Sequence, residues 1–312
     1  MLTRRTVIVA GRETTYGTDP ALTPSNCLYA YDVDVDIKGD VLERDVLRDT
    51  LSRIGHVIGM KECTLTFKTE LKNVGVLSGT VEPEVGMVLS GCGFNTGVMT
   101  GTSRKYSLVS DEASMNSVSF RVYKDGNVHK ILGSRGTFKA GLTAGKYGEM
   151  SWEFQGLFDP VAAATVVDHT GAPTGVPPIV YNSGFQIAGF SPVCSTAEID
   201  MGNEVTKRAS LNSTYGIAGF RLTSRKPMIN FKADAVVESS NPFWGDWNGA
   251  VVDTWAIQVG SNGGNIIRMN GYFAYESNKY TDEDGISTYD CKAALVSSDV
   301  NSSNDELSIT FV

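Results

Sequence analysis

Alternation of apolar and polar residues with a period of two runs through most of the chain, and it leaves little choice of fold class. Cys63-Thr-Leu65-Thr-Phe67 places its apolar side chains on one face. Val118-Ser-Phe120-Arg-Val122, Trp152-Glu-Phe154 and Leu307-Ser-Ile309-Thr-Phe311 do the same. Successive strand side chains point to opposite faces, so these runs read as half-buried strands. Turn residues punctuate them. Lys124-Asp125-Gly126-Asn127 has the Asp-Gly signal of a hairpin, and Asp282-Glu-Asp-Gly285 reads as another turn. Helical spacing is rare. One short helix is expected over Glu82–Leu89, with Pro83 in its first turn and Gly91 and Gly93 behind it, and a second near Pro242–Asn248. The expected class is all-β with short flanking helices.

Composition narrows the function classes. Hydrophobic residues make up 41% and charged residues 20% of 312 residues, enough apolar material for a packed core. Lys+Arg is 27 against Asp+Glu 35, a net charge of −8. That balance argues against a protein that grips nucleic acid by its phosphates, although not against one that handles it without adhering. Cys27, Cys63, Cys92, Cys194 and Cys291 form no Cys-x-x-Cys pair and are odd in number, so free thiols are expected. The apolar run after Arg4-Arg5 ends at Gly11, too short for a signal peptide. A soluble chain without an export signal or membrane segment is the expectation.

The composition shifts at Asp159–Pro178, where Pro160-Val-Ala-Ala-Ala and the Gly- and Pro-containing stretch up to Pro178 read as a linker. The chain repeats across it. At an offset of 164 residues Val35–Leu71 lies over Ile199–Ala235 without a gap, with identities at Asp36/Asp200, Val41/Val205, Arg44/Arg208, Leu47/Leu211, Thr50/Thr214, Gly55/Gly219, Phe67/Phe231 and Lys68/Lys232. At an offset of 137, Phe120–Phe158 lies over Ile257–Leu295, more by pattern than identity: Phe138 on Tyr275, Trp152 on Tyr289. The reading is a duplication. Residues 1–159 form one β domain with an N-terminal arm, 160–177 a linker and 178–312 a second β domain.

Few residues suggest chemistry. Asp32-Val-Asp34-Val-Asp36 resembles an acidic calcium loop, but Ile37 stands where that loop needs glycine, and the alternation makes a strand with one acidic face. No hydrolase, phosphate-loop or zinc-protease motif is present. Glu149 and Glu153 could serve as a carboxylate pair. Trp152, Trp244, Trp247 and Trp255 could make a sugar-binding platform, though core packing is the commoner use. The segment Asp40–Gly55 interleaves Glu43, Arg44, Asp45, Arg48, Asp49 and Arg53 with Val and Leu, and Glu204–Asn212 has the same texture around Arg208. Both read as interaction elements that pair with a neighbouring copy.

Several short motifs, in order, resemble the tail tube (major tail) proteins of long-tailed, non-contractile bacteriophages. They are Thr14-Thr15-Tyr16-Gly17-Thr18-Asp19-Pro20, Glu43-Arg44-Asp45, Gly55 before a strand, Cys92-Gly93-Phe94, and Asp125-Gly-Asn-Val-His129-Lys130 followed by Gly133, Arg135 and Gly136. Asp200-Met-Gly202-Asn203-Glu204 with Arg208, Asp246-Trp247 and Asp305-Glu306-Leu307 carry the likeness into the second half. The resemblance implies two similar β-sandwich or barrel tail-tube-like domains, each with a short flanking helix. It implies rings that stack into a tube, with three two-domain chains making a pseudo-hexameric ring, and double-stranded DNA passing through the lumen without specific binding. Implied partners are other copies of the chain, a tape-measure protein and tail-end proteins, in a virion tail assembled in the host cytoplasm. No membrane, cofactor, metal or catalytic residue is expected. Inter-ring or inter-subunit contacts are expected at Arg44, Arg48, Arg53, Asp45, Asp49, Arg208 and Tyr16. Asp32, Asp34, Asp36, Glu198 and Asp200 are candidates for the lumen lining. Two other readings stay open: a double β-sandwich carbohydrate-binding or adhesin module, and a β-sandwich hydrolase.

Overall fold

The computed structural model describes residues 2–73, 75, 77, 81–169 and 175–312. The first half contains strands β1 (Thr6–Arg12), β2 (Cys27–Leu28), β3 (Ala30–Leu42) and β4 (Val57–Glu70), then helix α1 (Gly86–Ser90). It continues through β5 (Val98–Thr100), β6 (Ser103–Ser107), β7 (Val118–Lys124), β8 (Gly126–Thr143), β9 (Glu149–Phe158) and β10 (Ala162–Ala164). The second half contains β11 (Gln186–Ile187), β12 (Cys194–Asp200), β13 (Asn203–Ala209), β14 (Ile217–Arg225) and β15 (Met228–Asp234). Helix α2 (Phe243–Gly249), β16 (Asp253–Val259), β17 (Ile267–Glu283), β18 (Ile286–Val296) and β19 (Ser308–Phe311) complete it. All pairings are antiparallel, and the class is all-β as the alternation predicts. Both helices lie where they are expected, within a few residues.

The halves share one strand order. In the first it runs β1–β7–β8–β9–β4–β3. In the second it runs β11–β16–β17–β18–β15–β12. Each half closes with a short strand laid against the start of its longest one, β10 on β8 and β19 on β17. Thus part of the expected linker is strand, and residues 170–174 of it lie outside the described residues. Strands β5 and β6 are the extra length of the first half, and β6 pairs with β19 from the other end of the chain. The expected N-terminal arm is largely built in: β1 lies between β2 and β7. Buried Glu13 then ties the following loop down, its carboxylate accepting from Gly17 N (2.6 Å), Ser117 Oγ (2.6 Å), Gly133 N (2.7 Å) and Ser119 Oγ.

The 164-residue repeat reappears as strand register. Val35 pairs with Leu65 and Ile199 with Ile229; Asp36 with Thr64 and Asp200 with Met228. Gly39 pairs with Lys61 and Asn203 with Arg225, and Val41 with Ile58 as Val205 with Leu222. The other block needs a correction. Phe67 lies opposite Trp152, and its counterpart Phe231 lies opposite Cys291, so Trp152 corresponds to Cys291 and not to Tyr289. A shift of two residues preserves alternation, so the pattern alone could not detect it.

A single hydrophobic cluster runs through both halves, from Phe67, Phe120, Trp152 and Phe154 to Phe231, Phe243, Trp255 and Phe273. The opposite sheet face is polar. All five cysteines are free thiols. Burial pushes those of Cys63 and Cys291 up to about 12, which leaves them protonated at neutral pH.

Candidate assembly surfaces

The contact between the halves is the most elaborate surface in the molecule. The end of β8 carries β12 on its edge: Lys139 pairs with Asp200, Ala140 with Ile199, Gly141 with Glu198, Leu142 with Ala197 and Thr143 with Thr196. Lys139 Nζ also lies 2.7 Å from the Asp200 carboxylate, which holds the lysine above its ordinary range. Past Asp200 the second-half hairpin breaks away. Gly202 takes a left-handed conformation (φ 57°), and a Cβ there would meet the Lys226 carbonyl oxygen at 2.4 Å. Across from it Pro227 has no N–H to give the ladder. The freed arm, β13–β14, lies across the first half. Asn203 Nδ2 donates to Cys92 O (2.8 Å) and Gly136 O (2.9 Å), and Lys207 pairs with Glu62 at 3.0 Å.

Tyr16 sits under this arm. Its hydroxyl donates to Gly133 O (2.8 Å) and accepts from Phe220 N (2.7 Å), so one side chain joins the two halves. Its ring leaves room only for hydrogen at Gly219, where a Cβ would fall 2.5 Å away. Burial pushes the phenol up, against the lowering effect of the Phe220 N–H. Around it a cleft of about 400 Å³ is lined by Arg135, Arg208, Arg221 and Glu112, with Arg221 and Glu112 paired. The structure therefore brings Tyr16 and Arg208 together, although they stand far apart in sequence.

Arg44, Asp45, Arg48, Asp49 and Arg53 lie apart from that cleft. All are exposed in the segment between β3 and β4. Arg53 pairs with Glu43, and Arg48 donates to Ser52 O, so those partners are local. Leu47 and Leu51 in the same segment are fully exposed.

Asp32, Asp34 and Asp36 stand exposed along β3; along β12 Glu198 is exposed and Asp200 half-buried. Asp32 interrupts the expected alternation: it is left-handed (φ 51°) at a bulge between Tyr31 and Asp34. Asp32 lies 3.3 Å from Lys68, and Asp36 lies 3.2 Å from Lys38, so the acidic row is partly neutralised. Among the described residues no cluster of His, Cys, Asp and Glu could hold a metal ion, and the candidate calcium loop is strand β3. Glu149 accepts from Tyr31 Oη (2.7 Å) and pairs with Lys68 (3.2 Å). Trp152 and Trp255 are buried, while Trp247 is exposed and donates to Glu276 O at 2.9 Å. The four candidates are thus split between core and surface, and Trp244 packs edge-on against Trp247 with ring centroids 6.2 Å apart.

Sequence reasoning missed the network of Arg225 and the β6–β19 pairing. Arg225 binds Glu306 (2.7 Å), Val109 O (2.9 Å) and Asn304 (2.6 Å), and so pins the arm to the first half and to the C-terminal segment. The one sequence signal bearing on it is its alignment with Lys61 at the 164-residue offset, where the positive charge is kept.

The family sequence profile for the phage tail tube protein matches residues 3–244, well over half the chain. The chain belongs to the phage tail tube protein family. It is thus a structural protein of the phage tail, of a kind that assembles with itself into a tube. The matched span covers the first half, the junction and the β12–β15 hairpin of this tail tube protein, ending inside α2. No curated protein matches it. No helix among the described residues is long and apolar enough to cross a membrane.

Proposed function

We propose that three copies of the chain close into a ring of six similar β domains, that the rings stack into the tail tube, and that the genome passes through the bore at ejection. The observation that carries this reading is the shared strand order, with hairpin registers offset by one constant, 164 residues. Two halves built alike can occupy alternate positions of one ring, and closed symmetry is the usual end point of such repetition. On this reading residues 1–159 and 178–312 are the two ring units. Arg44, Arg48, Arg53, Asp45 and Asp49 make contacts between rings or subunits, along with Arg208 and Tyr16 where their cleft meets a neighbour. The acidic rows of β3 and β12 line the bore. The tape-measure protein and tail-end proteins are the remaining partners, assembly takes place in the host cytoplasm, and the role involves no catalysis.

Size-exclusion chromatography with negative-stain electron microscopy tests this. Rings or tubes about 100 Å wide are expected from six compact domains of this size. A persistent monomer at high concentration would overturn the reading. Arg44→Glu is expected to shorten or abolish tubes without unfolding the chain.

A further inference from the structure

The junction inside the chain is matched by an open half-junction at each end of the repeat. Where the first half has the Lys139–Thr143 stretch of β8, the second has Lys279–Glu283 of β17. The correspondence follows from pairing alone. Lys68 and Lys232 are repeat partners, and the ladders run from Lys68 through Ser151 to Lys139 and from Lys232 through Asp290 to Lys279. Lys139–Thr143 carries β12 on its outer edge. Lys279–Glu283 pairs with β18 on one side and with no strand on the other, among the described residues. The counterpart of β12 is β3, whose Asp34–Asp36 stretch pairs only with β4, with Asp32 and Val33 bulged out of that ladder. Open edges of this kind are templates for pairing with another chain.

The arm tells the same story. Gly39–Leu42 with Val57–Met60 corresponds to the start of the β13–β14 arm, which rests on the first half. In the first-half version Val41, Leu42, Val57 and Ile58 are exposed, at 43–56% of their full surface. The second-half ladder continues to Ala209 opposite Ile217, whereas the corresponding residues 43–56 are unpaired. In each respect the first half carries an unseated component whose second-half counterpart is seated on the first half of the same chain.

We infer that the Asp32–Asp36 edge of one copy pairs antiparallel with the Lys279–Glu283 edge of a second copy, in the register of the internal junction. Asp36 then meets Lys279, as Asp200 meets Lys139. Val35 meets Tyr280, as Ile199 meets Ala140, and Asp34 meets Thr281, as Glu198 meets Gly141. Tyr280, 57% exposed in the single chain, becomes covered. The exposed arm beside β3 lies across the neighbour's second half, and residues 43–56 zip into a longer hairpin as 207–220 have done. The occupant is a second copy because this chain already contains both surfaces joined once. The inference rests on the ring reading and adds which edges meet and in which register.

The test is a cysteine pair, Asp34→Cys with Thr281→Cys, in the assembled protein. Residues directly opposite in an antiparallel pair have Cα atoms about 4.5–5.5 Å apart, within disulfide range. Oxidation is expected to yield covalent dimers and trimers on non-reducing gels. The pair Asp34→Cys with Tyr280→Cys, one residue out of register, is expected to yield at least about tenfold less, because a one-residue slip turns the side chain to the other face. Separately, Lys279→Glu is expected to weaken assembly about tenfold or more by setting like charges together, and Asp36→Lys in the same chain to restore it. Lys279 is exposed, so an unchanged melting curve of the single chain separates this effect from misfolding. Rings that form without cross-links, or without charge-swap rescue, would overturn the inference and leave the ring reading standing. A wild-type chain that forms no rings would overturn both.

Discussion

Tyr16 places one hydroxyl between two backbones that are far apart in sequence, Gly133 and Phe220. Tyr16→Phe keeps the ring and removes both bonds. A net cost of about 1–3 kcal/mol is expected, since each neutral bond contributes about 0.5–1.5 kcal/mol and the Phe220 N–H loses its partner. Urea unfolding measures this. An unchanged midpoint would mean that the arm is held by its ion pairs instead. Glu84 offers a pH-dependent counterpart. Its carboxyl is buried against Lys72 at 3.5 Å and accepts from Tyr29 N. Burial raises it from 4.5 to about 7, outweighing the lowering pull of Lys72. A carboxyl raised on folding binds its proton more tightly in the native state. Its contribution is therefore complete below pH 4.5 and is lost as the pH rises through about 7. The difference is at most roughly 3 kcal/mol. Glu84→Gln is expected to shrink the fall in urea midpoint between pH 4.5 and pH 8, and an equally steep fall in the variant would assign the dependence to other groups.

At the scale of elements, β19 joins the last strand of the chain to an insertion in the first half. It lies between β17 and β6, and its Phe311 packs edge-on against Tyr106, with ring centroids 5.8 Å apart. Both rings are buried. Phe311→Ala is expected to cost about 3–5 kcal/mol, the usual price of emptying a buried aromatic site, read as a lowered urea midpoint. A loss below about 1 kcal/mol would mean that β19 frays in solution. This contact also marks where sequence reading runs out. Hairpins are local, so the Asp125-Gly126 turn and the paired hairpins at offset 164 were legible from turn residues and apolar spacing. The β6–β19 and β8–β12 pairings join segments whose individual patterns fit any antiparallel neighbour. The Trp152 correspondence slipped by two residues for the same reason, since alternation repeats every second residue. Among the candidate contacts, Arg44 to Arg53 stood out by texture. Arg225 did not, because its partners Glu306 and Val109 lie in segments that show no kinship to it before folding.

For the whole molecule, the proposed bore raises the question of how a wall of protein would let a polyanion slide. Each chain carries −8, so the proposed ring of three would carry 3 × (−8) = −24. The polar sheet face is not uniformly acidic: Lys68 neutralises Asp32, and Lys139 neutralises Asp200. The acids that remain exposed, such as Asp34 and Glu198, are spaced along strands instead of clustered. The net field of such a surface repels phosphates, although Lys232 and Lys292 stand exposed on β15 and β18. Assembled tubes are therefore expected to show no retention of short duplex DNA in a fluorescence anisotropy titration, even at about 0.05 M salt, where phosphate-gripping proteins bind most strongly. Weakening of binding with a steep dependence on salt would reveal a basic track along the bore and remove β3 and β12 from its lining. Replacing Asp34 and Glu198 with lysine supplies the converse: it adds 2 × 2 = 4 positive charge units per chain. If those strands face the lumen, such tubes are expected to acquire salt-sensitive binding of short linear duplex DNA but none of covalently closed circular DNA, which has no end to enter; binding of both would place the strands on the outer surface.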